Sequence, residues 1–103
     1  MTGPELHQLL LDKWGYSYDV QLRRRGDRVL LQVMWRYLEQ ASFPLSPGEY
    51  RDRLEAVATY LNGWGEDDRV RDYIRETCDR PRLGKAVTIV LDLGGRASEW
   101  FVE

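Results

Sequence analysis

The stretch Tyr16–Leu38, YSYDVQLRRRGDRVLLQVMWRYL, decides the fold. Tyr16, Tyr18, Val20 and Leu22 alternate with Ser17, Asp19, Gln21 and Arg23, which is the period of a half-buried strand. A partner run follows at once, with Val29, Leu31, Val33, Trp35 and Tyr37 on its more apolar face and Leu30, Gln32, Met34 and Arg36 on the other. If Gly26-Asp27 is a two-residue loop, Arg25 pairs with Arg28. Leu22 then lies across from Leu31, Val20 from Val33 and Tyr18 from Trp35. Each core-face residue meets another. Gly26 suits the loop because a primed turn needs a positive φ at its first central position.

Helices and one further strand flank this hairpin. Thr2 with Glu5 three residues later has the form of a capping box, and Leu6, Leu9, Leu10 and Trp14 recur at helical spacing before Gly15. A helix over Gly3–Trp14 is expected. Ser46-Pro47-Gly48-Glu49 is a second capping box with proline at the first helical position. It opens a helix with an apolar stripe of Tyr50, Leu54, Val57, Ala58 and Leu61, and Asn62-Gly63 is expected to end it. After Trp64-Gly65, the carboxylates Glu66, Asp67 and Asp68 suit the positive end of a third helix carrying Val70, Tyr73 and Ile74, which should finish before Pro81. Lys85–Leu93 has a strand pattern with Val87, Ile89, Leu91 and Leu93 on one face, and Gly94-Gly95 breaks it. Trp100 and Phe101 imply a C-terminal tail or short helix that docks.

The expected fold is α+β: a three-stranded, mainly antiparallel sheet packed against about three helices, in the order α-β-β-α-α-β. With 103 residues the whole chain, 1–103, fits one domain. A content of 43% hydrophobic and 31% charged residues belongs to a soluble globular protein, and no apolar run approaches the ~20 residues of a membrane span. The first residues lack the basic-then-apolar pattern of a secretory signal, and Cys78 is a lone cysteine, so a cytoplasmic location is expected. Four positions after Ile74, Cys78 is expected as partly buried filler rather than a reactive thiol.

The net charge of −2 conceals an uneven distribution. Five arginines, Arg23, Arg24, Arg25, Arg28 and Arg36, stand against Asp27 alone in Val20–Tyr37, whereas Ser46–Asp79 holds nine carboxylates against five arginines. A dipolar molecule follows, with a basic hairpin and an acidic helical side.

No stretch carries the spacing of a metal site, a phosphate loop or a nucleophile with its base, so no catalytic residue, metal or cofactor is assigned. His7 is the one histidine and fits a boundary position. The carboxylates of the two later helices interleave with arginines, the pattern of a solvated, salt-bridged face. Arg25-Gly26-Asp27 is accounted for as a turn.

Two surfaces are candidates for binding. The second face of the sheet, with Leu30, Gln32, Met34, Arg36 and Val90, would form a semi-apolar patch if no helix covers it, and Trp64 between two glycines would add an anchor unless it plugs the gap between helices. Arg23, Arg24, Arg25 and Arg28 form the best site for nucleic acid, although the chain is acidic overall and no aromatic residue interleaves them.

Several segments together carry a family resemblance: Glu5-Leu6 to Trp14-Gly15, Ser17–Leu22, Leu31–Trp35, Tyr37–Gln40, Ser42–Leu45, Arg80–Val87 and Gly95–Trp100. The chain resembles a short protein family of cyanobacteria and plastids, a domain of unknown function. The arginine-rich turn Arg23–Arg28 is not characteristic of it. The resemblance implies a protein serving photosynthetic or plastid physiology. It also directs attention to Gln40, Ser42 and Phe43, and to Arg80, Arg82 and Lys85 as basic contacts that would converge with the hairpin arginines near the sheet. The leading functional expectation is a non-enzymatic accessory domain with a protein partner. An RNA- or DNA-binding accessory protein and a small enzyme are the rivals.

Overall fold

The structure, a computed structural model, describes residues 1–93. Helix α1 spans Gly3–Trp14, strands β1 and β2 span Tyr18–Arg25 and Arg28–Tyr37, helices α2 and α3 span Pro47–Trp64 and Asp67–Glu76, and strand β3 spans Val87–Leu91. The sheet is antiparallel throughout, in the order β1-β2-β3. This is the α+β arrangement expected from the sequence. The expectations for Gly94-Gly95 and the Trp100-Phe101 tail lie outside the described residues.

The hairpin closes through Gly26-Asp27 with Arg25 opposite Arg28. Gly26 takes φ +64° while Asp27 has a negative φ, the combination of a type II′ turn, in which only the first central position must be left-handed. Val20 faces Val33 and Leu22 faces Leu31 as expected. The pairing of Tyr18 with Trp35 is corrected: Tyr18 lies opposite Tyr37, because β2 carries two extra residues where Asp19 faces it. Groups at this irregularity are satisfied from outside the ladder. The Tyr50 hydroxyl donates to the Tyr18 carbonyl at 2.7 Å, and Arg53 donates to both Asp19 oxygens.

Burial sorts by the two periods. Along β3 the pattern alternates, with Val87, Ile89 and Leu91 buried and Thr88 and Val90 exposed, and burying each of the three is worth roughly 1.5–3 kcal/mol. Leu6, Leu9 and Leu10 of α1, Tyr50, Leu54, Val57 and Leu61 of α2, and Val70 and Ile74 of α3 meet that sheet face in one core. Helices therefore cover one face of the sheet.

Three helix details follow from capping chemistry. Thr2 accepts from the Glu5 amide, and Ser46 and Glu49 form a reciprocal box, each side chain serving the other's backbone. Helix α2 runs to Trp64, past its expected end at Asn62-Gly63: Gly65, at φ +71°, is the left-handed stop, and Trp64 is thereby the last helical residue. Helix α3 stops at Glu76, so Cys78 falls outside it and is exposed rather than packed.

Candidate functional site

A cleft of about 590 Å³ lies between β1 and α2. That size is within the range of about 300–1,000 Å³ common to ligand clefts. Its first wall is six consecutive residues of β1, Val20–Arg25. Consecutive residues point to both sides of a strand, so the cleft follows the edge of β1 as well as one face, and among the described residues the sheet order leaves this edge without a neighbouring strand. The second wall is Arg53, Ala56, Val57 and Tyr60, a stripe at helical spacing along α2.

Chemically the cleft has an apolar floor and a cationic rim. Val20 and Val57 are buried, Leu22 and Tyr60 half-buried, and Ala56 exposed. The Tyr60 ring lies against Trp64 at 5.3 Å and 32°, which braces this wall. Arg23 donates to Gln21 at 2.6 Å and Arg24 to the Gly26 carbonyl at 3.2 Å. Among the described residues no carboxylate pairs with Arg23, Arg24 or Arg25. One end is closed by Arg53, whose Nη1 sits 3.0 and 3.1 Å from the two oxygens of Asp19. Gln21 donates to the same carboxylate at 3.0 Å. A second, smaller cleft of about 350 Å³ between α1 and α3 sets Glu5 and Asp12 against Lys13 and Arg75, leaving no surplus of either sign.

The other expected contacts are dispersed. Leu30 is 9% exposed, Gln32 and Met34 are half-buried, and Gln32 donates to Thr88 at 3.3 Å. Of the five residues expected on the second sheet face, Arg36 and Val90, the latter 48% exposed, stand out, so that face offers less apolar area than expected. Trp64 is buried in the core at 5% exposure and does not serve as a surface anchor, because α2 carries it inward before the Gly65 stop. Arg28 is exposed across from Arg25.

Arg80, Arg82 and Lys85 do not converge with the hairpin arginines. Arg82 and Lys85 exchange backbone hydrogen bonds of 3.0 and 2.7 Å around a small turn just before β3. The start of β3, Val87, pairs with Val33, and its end, Leu91, pairs with Val29 beside the hairpin tip. The antiparallel register thus puts the two basic groups at opposite ends of the sheet.

A polar node that sequence reasoning missed joins four segments. His7 Nε2 is 2.7 Å from Ser17 Oγ, the Ser17 amide donates to Glu39 at 2.9 Å, and the His7 ring meets Tyr50 edge-on at 5.3 Å. Burial opposes ionisation of Glu39, but the Ser17 amide and hydroxyl together outweigh it and hold the carboxyl below its usual range. Burial, then the charges of Asp19 and Glu39, push the Tyr50 phenol up. Ser17 is 2% exposed and lies between His7 and Glu39, whereas a nucleophile needs access and a base that is itself oriented by the acid. This node is a strap. Gln40 and Phe43 belong to its frame: Gln40 accepts from the Tyr37 amide, and the Phe43 ring packs on Tyr50 at 5.9 Å, while Ser42 is exposed.

Glu66 was also unforeseen as a buried group. Only 6% exposed, it accepts from the Asp92 amide at 2.5 Å and from Arg69, clipping the end of β3 to the start of α3. Its place ahead of two aspartates suggested a solvated helix end. Among the described residues no group of three or more His, Cys, Asp or Glu is placed to hold a metal ion, and no helix is long and apolar enough to cross a membrane.

A family model described as "Domain of unknown function (DUF3067)" matches residues 4–101. The chain belongs to this family. A solution NMR structure of the Alr2454 protein from Nostoc sp. strain PCC 7120 is similar to it over 100% of both chains, with 62% sequence identity and a TM-score of 0.88. That relative comes from a cyanobacterium, in keeping with the resemblance seen in the sequence. No curated protein matches. The family's description names no reaction or ligand, so the geometry of the cleft carries the functional argument.

Proposed function

We propose that this DUF3067 domain is a non-enzymatic accessory module of a phototroph's cytoplasm, and that it captures an acidic protein partner in the cleft between β1 and α2. One observation carries the reading: an apolar floor rimmed by three arginines that have no carboxylate partner among the described residues, on a chain whose net charge is −2. A cationic patch on an acidic protein is not explained by bulk charge. It favours a carboxylate-rich surface over other proteins and speeds the encounter with one. The neighbouring apolar floor adds area that a purely electrostatic site would lack.

The test is retention by the native chain and by the triple variant Arg23→Glu/Arg24→Glu/Arg25→Glu from cyanobacterial extract with and without nuclease treatment, with each retained protein then rebound in purified form. A purified partner that binds the native chain and not the variant is the expected result. Retention indifferent to the three substitutions would overturn the reading, as would binding that disappears with nuclease.

A further inference from the structure

Strand β1 is an outer strand of the sheet among the described residues. Arg25 and Arg28 flank a two-residue turn and therefore form a hydrogen-bonded pair, after which such pairs alternate along the ladder. Arg23 and Gln21 thus spend their backbone groups on Leu30 and Gln32 of β2. The N–H and C=O groups of Val20, Leu22 and Arg24 point the other way, into the cleft. Among the described residues no other strand pairs with β1 on that side. The interval from Val20 to Arg25 is about 17 Å of extended backbone, and the Asp19–Arg53 pair blocks its inner end.

Resting on the acidic-partner reading, we infer that the cleft binds an extended peptide segment by strand addition to β1, with carboxylates alternating with small apolar side chains. The alternation follows from the walls. A strand beside β1 shares its two faces: residues on the helix side meet Leu22, Val57 and Tyr60, and residues on the opposite side lie beside Arg23 and Arg25. Backbone amides spaced two residues apart match the repeat of another polypeptide, which a nucleic-acid backbone does not reproduce. Tyr60 is packed against Trp64 rather than presented as a base-stacking platform.

The experiment titrates the 15N-labelled full chain with an acetylated, amidated peptide Glu-Val-Glu-Val-Glu-Val. Two controls accompany it: the same peptide N-methylated on alternate residues in each of the two phases, and a scrambled peptide Glu-Glu-Glu-Val-Val-Val. Strand addition predicts downfield amide shifts and slowed hydrogen exchange at Val20, Leu22 and Arg24. It also predicts that methylation in one phase weakens binding by about tenfold or more, the loss of two or so backbone hydrogen bonds. Arg24→Pro should weaken the alternating peptide well beyond Arg24→Ala, because both lose the guanidinium but only proline removes the edge N–H.

Equal binding by all the peptides, or binding without change at those three amides, would overturn strand addition and leave the acidic-partner reading standing. No binding by any acidic peptide, together with retention in extract indifferent to the arginine reversals, would overturn both.

Discussion

Arg53 of α2 spans the gap to β1 and places one nitrogen between both oxygens of Asp19, at the point where the β1–β2 ladder shifts register. Asp19 is nearly buried, while the Arg53 side chain is 37% exposed. Loss of the arginine strands a desolvated charge, and loss of the aspartate frees a group that water can reach. Arg53→Ala should cost about 1–2 kcal/mol, partly screened by that exposure, and lower Tm by roughly 4–16 °C. Asp19→Asn/Arg53→Met should recover part of the loss, which thermal unfolding of the single and double variants will read.

Gly3 is where α1 touches α2. A Cβ there would lie 2.7 Å from Glu55 Oε2 and 3.0 Å from the Glu55 backbone nitrogen and Cα. The carboxylate tip can swing away, but the helix backbone cannot. Gly3→Ala should destabilise the fold by about 1–3 kcal/mol despite alanine's better helix propensity, measured as a fall in the urea midpoint at unchanged m.

Tyr50 is fully buried, and its hydroxyl satisfies the Tyr18 carbonyl beside the irregular pairing. Tyr50→Phe keeps the ring contacts with His7 and Phe43 and removes only that donor. The expected cost is about 1–2 kcal/mol with an unchanged backbone, checked by denaturation and by amide chemical shifts confined to the neighbourhood of Tyr18.

Glu39 predicts a pH dependence. Its folded carboxyl is held below the usual value of 4.5, so its contribution is complete above that value and is lost as pH falls through the depressed folded one. Glu39→Gln should lower stability near pH 7 and cost progressively less as the pH falls below 4.5. Urea midpoints collected across that interval should show a shallower acid limb for the variant. A parallel offset at every pH would contradict the assignment.

Local chemistry makes much of this fold legible. Alternation on both sides of Gly26-Asp27 specifies the hairpin and its faces. A slip by two residues would keep those faces matched, and the two-residue loop sets the register from Val20 outward. The Ser46–Glu49 box locates the start of α2. What escapes depends on partners distant in sequence. The Tyr18–Tyr37 pairing rests on Arg53 and Tyr50 reaching in from α2, and the burial of Glu66 rests on the Asp92 amide, 26 residues further on. Asn62-Gly63 looks like a helix end, yet Gly65 serves because burial of Trp64 draws the last turn onward.

The candidate site divides in the same way. The arginines are visible as a cluster in the sequence, whereas their companion stripe of Arg53, Ala56, Val57 and Tyr60 has no signal of its own beyond helical spacing. Only the docking of α2 beside an edge strand makes a cleft from the two.

The sheet's connectivity also sets an order of events during synthesis. β2 leaves the ribosome early, but its inner neighbour β3 follows only after both later helices, so Leu31 waits for Ile89 while more than half of the chain is made. Until then the nascent hairpin presents a second margin, lined by Val29, Leu31 and Val33, with nothing from its own chain to pair with. A chain halted near Pro81 would hold that sticky margin open indefinitely, and is the form most in need of a chaperone.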